Sequence, residues 1–334
     1  MNELSDILRS QREYKQIIER LGEKRGKKLP LLVTQMCEGV RDLFVATLTQ
    51  DRMNKNSPVL GILPSEKDVS RLSSALSDFG LDVKTYPMRD FVFTEMSASH
   101  EFECERISVL SAVAANSCDV VLTTPDAAVQ YTMPWDVLSA RTFEINESST
   151  VDTEKIAETL LDCGYVRVPM VDSPGQFSQR GDILDIFPPN TDDPVRIETF
   201  GEEIDRISSF DVMTQRRIDG LTRIVISPVR EVIPDAAVKK SLAEAIRQRI
   251  KKAKDDSVKN VCRGELEKLE SGRELLSIDK YISFIYPQKQ CLTDYFSPES
   301  TVFVQDYNGV VDRLHSYVFR ENESFLKLLE DGIV

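Results

Sequence analysis

The sequence predicts an α/β fold in which a parallel-sheet domain is interrupted by a small α+β domain carrying an antiparallel sheet. Three observations predict it. Short apolar runs alternate with amphipathic helical stretches from about residue 31 to 123, the pattern of a parallel sheet with right-handed crossovers. From Gly164 to Asp211 the pattern shortens to strand-length runs separated by turn residues, as in a small antiparallel sheet. Thr301-Val-Phe-Val304 then reads as one more buried parallel strand. The implied boundaries are 1–137 for the first part of the parallel-sheet domain, 138–230 for the insert and 231–334 for the second part.

In order, residues 3–21 read as one amphipathic helix with Leu4, Ile7, Leu8, Tyr14, Ile17, Ile18 and Leu21 as its stripe, followed by the basic linker GEKRGKK. Leu31-Leu32-Val33 reads as a short buried strand and Val40–Leu48 as a helix. Val59–Leu63 is the next strand. The helix Glu66–Phe79 turns Val69, Leu72, Leu76 and Phe79 inward and ends at Gly80. Strand Asp82–Tyr86, helix Glu103–Ala115 and strand Asp119–Thr123 follow. Between Trp135 and Val151 short strands are expected, and then a helix over Asp152–Cys163. In the insert, Val166, Val168 and Met170 share a face, and Ile183-Leu-Asp-Ile-Phe187 is ended by two prolines. Lys239 to about Leu276 reads as charged helix with Leu242, Ile246, Ile250, Leu266 and Leu269 inward.

From Ile156 to Val238 every basic residue is Arg and none is Lys. Arg presents a planar fork that pairs with carboxylates in bidentate fashion. On an acidic chain this suggests a protein-binding face, or a solvated sheet face with internal Arg–Asp pairs. The 334 residues carry a net charge of −13, which argues against a dedicated nucleic-acid binder. The six cysteines are scattered without a CxxC pair, so neither disulfides nor a zinc site is expected. The N-terminal stretch has no apolar core of signal type and no run approaches 18 apolar residues, so a soluble, cytoplasmic, monomeric chain without a membrane partner is expected.

Four blocks then stand out: Arg180-Gly-Asp-Ile-Leu-Asp-Ile-Phe-Pro188, Arg196-Ile-Glu198, Glu202-Glu-Ile-Asp205-Arg206 and Ser209-Phe-Asp211. In order and spacing they resemble the interaction domain shared by the repair protein UvrB and the transcription-repair coupling factors. The resemblance implies a helicase-like ATPase half, with a phosphate loop after the first strand and an acidic motif after a later one. Here Leu31–Val33 is followed by Thr34-Gln-Met-Cys-Glu-Gly39-Val40-Arg41. Against GxxxxGK[ST], Thr34 replaces the first glycine, Val40 the lysine and Arg41 the hydroxyl residue, and only Gly39 remains. After Val302-Phe-Val-Gln comes Asp306-Tyr307, where the family has Asp-Glu. UvrB also inserts a long aromatic hairpin after the strand matching Asp82–Tyr86. Here Phe91 and Phe93 precede the next helix too closely for one, and read as core or loop anchors.

A degenerate P-loop NTPase-type domain with an intact interaction domain is similar to the N-terminal UvrB-homology module of the transcription-repair coupling factors (Mfd). The resemblance implies an adaptor that recruits UvrA by copying the UvrB surface. It implies UvrA-binding roles for Arg167, Arg180, Arg196 and Glu198, with Phe177 a further candidate. Phe187 either packs beneath the face or adds an apolar contact. Where UvrB has Arg-x-Arg ending at Arg180, this chain has Ser178 first. The resemblance also implies masking of that face by a C-terminal domain of the longer chain. RNA polymerase, DNA, ATP and magnesium would be bound only by domains absent here, leaving no cofactor for this stretch. The alternatives are a divergent ATP-dependent helicase half with residual nucleotide binding, and a module whose main task is self-masking.

Overall fold

The structure, a computed structural model, describes residues 2–22, 30–52, 57–90, 101–331 and 333. The linker after Gly22, and Phe91 and Phe93, lie outside the described residues. The strands are β1 (Val59–Ile62), β2 (Val83–Tyr86), β3 (Val120–Thr123), β4 (Phe143–Asn146), β5 (Val166–Arg167), β6 (Gln176–Arg180), β7 (Ile183–Ile186), β8 (Val195–Phe200), β9 (Glu203–Phe210), β10 (Arg217–Leu221), β11 (Arg223–Ile226) and β12 (Val302–Val304). The chain divides into two compact units. One comprises Met1–Pro87, Ala112–Ala128 and Asp294–Leu314, the other Met88–Ser111, Val129–Thr293 and His315–Val334.

The first unit holds a four-stranded parallel sheet in the order β12-β1-β3-β2. Its central strands are apolar but for the buried Thr123 at the end of β3, because both faces are covered. Gly61 permits this closeness: a Cβ there would lie 2.3 Å from the Phe303 ring and 2.6 Å from Leu122. The helix Glu66–Asp78 starts at Ser65, whose hydroxyl accepts from the Asp68 amide, buries Val69, Leu72 and Leu76, and is followed by Gly80 at φ +81°. The helix Glu38–Gln50 adds Phe44, Val45 and Leu48 to the same core, with Tyr14 packed on it.

Two expectations fail in this unit. Leu31–Val33 forms no strand. Proline at position 30 has no amide to donate, Gln35 adopts φ +65°, and Leu32 is 87% exposed. The single helix over 3–21 is two helices, Asn2–Ser10 and Arg12–Leu21, with Gln11 extended between them; Leu4 and Ile7 are exposed. Ser10 donates its hydroxyl back to the Ile7 carbonyl at 2.6 Å, which competes with continuation of the helix.

The second unit holds a six-stranded sheet in the order β10-β9-β8-β7-β6-β5 and a two-stranded β11-β4 pair. The six-stranded sheet is antiparallel except at its edge, where β5 runs parallel to β6. The helix Thr153–Asp162, capped by the Asp152 carboxylate, contributes Ala157 and Leu160 to the core of this sheet. Trp135–Arg141, expected as strand, is a helix: Pro134 sets its entry, and Asp136 and Arg141 complement its dipole at either end. The long charged stretch is two helices, Ala236–Lys252 and Asp256–Glu270, because Asp255 caps a second start.

Candidate functional site

Pairing across the six-stranded sheet sorts its side chains. Arg180, Ile183, Glu198 and Arg206 are lateral partners and form one row. Ser178, Asp185, Arg196 and Ser208 form the next. Lateral partners share a face, and both rows point the same way. The other face carries Phe177, Leu184, Ile186, Val195, Ile197 and Ile207, all buried in the main core.

The arginine face has a closed end and an open end. At the closed end Val171, Phe187 and Phe210 form a small buried cluster, and Ser178 donates to the Pro169 carbonyl at 3.1 Å. At the open end lie Arg180, Ile183, Glu198 and Arg206. Between them sits Asp185, 1% exposed. Its carboxylate accepts from Arg196 Nε at 2.6 Å and Nη2 at 2.9 Å, and from Arg180 Nη2 at 2.8 Å. Arg196 also lies over the Phe210 ring at 4.5 Å, and its hydrogen bond to Asp185 raises its pKa further above the ordinary arginine value. Arg180 keeps 53% of its side chain exposed, whereas Arg196 keeps 15%. Glu198 is bonded by Arg217.

The structure thus brings Arg180, Arg196 and Glu198 together. It does not bring Arg167 to them: Arg167 lies on the edge strand β5, in register with Phe177 and so toward the opposite face, exposed and 3.4 Å from Gln179 Oε1. The expectation of one face built by three arginines is therefore corrected to two arginines on the face and one at the sheet edge. Phe187 packs beneath the face. Phe177 is fully buried in the core on the other side and offers no surface. Sequence reading passed over Arg206 and Ile183, because only the lateral register places them in one row with Arg180.

In the first unit the positions of the two nucleotide motifs meet. Thr34, Arg41, Asp306 and Tyr307 line one cavity of about 690 Å³, whose wall is otherwise largely apolar, as at Phe44 and Phe303. Gly39, Val40 and Arg41 lie in the first turn of the helix Glu38–Gln50, with the exposed Glu38 carboxylate at its very start. Asp306, at φ +53°, accepts from the Gly309 amide at 3.2 Å and so caps the helix Tyr307–Glu330; Tyr307 is 68% exposed. The cavity is lined by two arginines, Arg20 and Arg41, and, among the described residues, by no lysine. Among the described residues no group of three or more His, Cys, Asp or Glu could hold a metal ion, and no helix is long and apolar enough to cross a membrane.

Residues 143–231 match the UvrB interaction domain. The six-stranded sheet, its arginine face and the β11-β4 pair all fall within that stretch. Over 99% of its length the chain is 28% identical to the transcription-repair-coupling factor of Bacillus subtilis (strain 168), of which it covers 29%. It is 24% identical over 98% of its length to that of Staphylococcus haemolyticus (strain JCSC1435), covering 28% of it. The chain spans less than a third of the length of these relatives. Match and relatives together support the UvrB-homology module that the motif blocks implied.

Proposed function

We propose that this chain is a non-catalytic adaptor module of transcription-coupled nucleotide excision repair, which recruits UvrA by presenting a copy of the UvrB surface. The observation that carries this reading is Arg180. Its guanidinium is fixed on a buried carboxylate yet half exposed, so a charged fork stands oriented before any partner arrives. Arg167 offers a second, nearly unpartnered fork at the sheet edge. In the longer protein, a C-terminal domain covering the same face would hold the module silent. The module works as a cytoplasmic monomer without a cofactor, and the longer protein's other domains engage RNA polymerase, DNA and ATP.

Calorimetry with purified UvrA tests the reading. Arg180→Ala and Arg167→Ala are each expected to weaken binding about 30-fold or more, the lower end of the roughly 2–5 kcal/mol that truncating one partner of a desolvated charge pair costs, while the melting temperature stays put. Arg223→Ala is the control: that residue is exposed on the two-stranded pair and bonds Glu144. Parent-like binding by both variants would remove the copied-surface reading. One observation favours a second reading, a divergent helicase half with residual nucleotide binding: the cavity that joins the two motif positions. Magnesium-dependent ATP turnover abolished by Asp306→Ala would establish it. None is expected, since Val40 cannot neutralise phosphate and Tyr307 cannot orient water.

A further inference from the structure

The open end of the arginine face finishes at the tip of the β8–β9 hairpin, and there the chain places a phenylalanine in water. Phe200 is 84% exposed. Along β8 it follows Arg196 and Glu198 at intervals of two, while Ile197 and Thr199 are buried on the other side. A bulge beyond Glu198 leaves this alternation along β8 intact. Ring and guanidinium groups therefore share one face.

A single exposed apolar residue needs no explanation in general. This one has three unusual supports. The turn is a two-residue one, Gly201-Glu202, with Gly201 at φ +64°, as primed hairpin turns require. The tip is also tied down from outside the hairpin: Thr150 bridges Glu203, and the Val151 amide donates to the Glu202 carbonyl at 2.8 Å. The ring thus stands on fixed backbone and would lose little freedom on binding. Third, its neighbours form a graded patch. Ile183 and Glu198 lie in the next row, flanked by Arg180 on one side and Arg206 on the other. Glu198 is already neutralised by Arg217, and Arg206 forms no ion pair among the described residues. An aromatic ring with arginines at its margin is the composition that dominates binding energy at protein interfaces.

We propose that Phe200 is the apolar anchor of the UvrA-binding face, entering an apolar socket on the partner whose rim carries carboxylates that Arg180 and Arg206 meet. The occupant follows from charge: an unpaired arginine on an otherwise acidic chain selects an acidic rim, and the uncharged ring selects an apolar floor. This rests on the adaptor reading above, and deepens it by assigning two residues the family blocks do not single out as contacts.

The test is UvrA affinity at two salt concentrations for Phe200→Ala, Phe200→Leu, Arg206→Ala and Arg180→Ala, each checked by thermal melting. Phe200→Ala is expected to weaken binding tenfold or more at both salt concentrations, with the melting temperature unchanged. Phe200→Leu should recover part of the loss. Arg206→Ala should weaken binding several-fold at low salt and flatten its salt dependence. If Phe200→Ala binds like the parent while Arg180→Ala is weakened, the anchor is overturned and the adaptor reading survives. If the parent itself does not bind UvrA, both fall. If Phe200→Ala and Phe200→Leu both lower the melting temperature by several degrees, the ring supports the hairpin and the anchor is likewise overturned.

Discussion

Asp185 decides how the arginines of the face divide their roles. A carboxylate 1% exposed needs charged partners, and two guanidinium groups reach it. Arg196 takes the bidentate position and stacks on Phe210; Arg180 supplies one further bond from a half-exposed site. The two should therefore fail differently. Arg196→Ala strips a buried carboxylate of its main partner and is expected to lower stability by about 3 kcal/mol. Arg180→Ala leaves Asp185 paired and should cost about 0–1 kcal/mol. Urea unfolding of the two variants checks this, and equal midpoints would show that Asp185 does not discriminate between them. Both arginines were legible as candidates in the sequence. That one is chiefly structural and the other available was not, because the difference lies in which guanidinium the strand register sets squarely against Asp185.

At the scale of elements, reading succeeded where local chemistry was complete. The helix Glu66–Asp78 has a cap, an apolar stripe at helical spacing and a terminating glycine, and it forms nearly as read. Leu31–Val33 had apolar character alone and forms no strand; Trp135–Arg141 was misread because seven residues are too few to show a period. The pins between elements were illegible, since they join residues far apart in sequence. Arg313, on the helix Tyr307–Glu330, bonds Asp126 through Nε at 2.9 Å and Nη2 at 2.7 Å, and Glu66 through Nη1 at 2.8 Å. Burial alone would raise the Asp126 carboxyl, but hydrogen bonds from Arg313 and Thr124 outweigh it and hold it below the ordinary carboxylate value; the Arg313 bond holds Glu66 low as well. A carboxyl depressed in the folded state adds stability that is complete above its unfolded value and is lost as pH falls through its folded one. Arg313→Met should therefore be clearly less stable than the parent at pH 7, and the gap should narrow below about pH 4. Urea midpoints of both proteins at pH 7, 4 and 3 measure it. A gap independent of pH would mean that the pin contributes through packing rather than charge.

At the scale of the whole chain, composition said acidic and the stretch 156–238 said arginine, and only the fold reconciles the two. Read linearly, an arginine-only stretch could serve a phosphate backbone, which rewards each unpaired cation by releasing a counterion. In the structure most of those charges are already spent. Arg196 is held by Asp185, Arg217 by Glu198, Arg223 by Glu144, and Arg230 by Glu103. What remains open is Arg206, the exposed Arg216, half of Arg180, and Arg167 at the edge, on a chain of net charge −13. Four such forks can orient one acidic protein partner, but they do not make the continuous basic stripe that a duplex requires. The expected outcome is that a fluorescently labelled 30-base-pair duplex shows no saturable anisotropy change up to roughly 10 μM chain at about 150 mM salt, and only a shallow response at low salt, since few counterions would be released. The quadruple variant Arg167→Ala, Arg180→Ala, Arg206→Ala, Arg216→Ala should abolish even that response. Sub-micromolar affinity at physiological salt with a steep salt slope would mean that DNA binds this chain through groups other than the sheet face, and that the paired arginines exchange their carboxylates for phosphate.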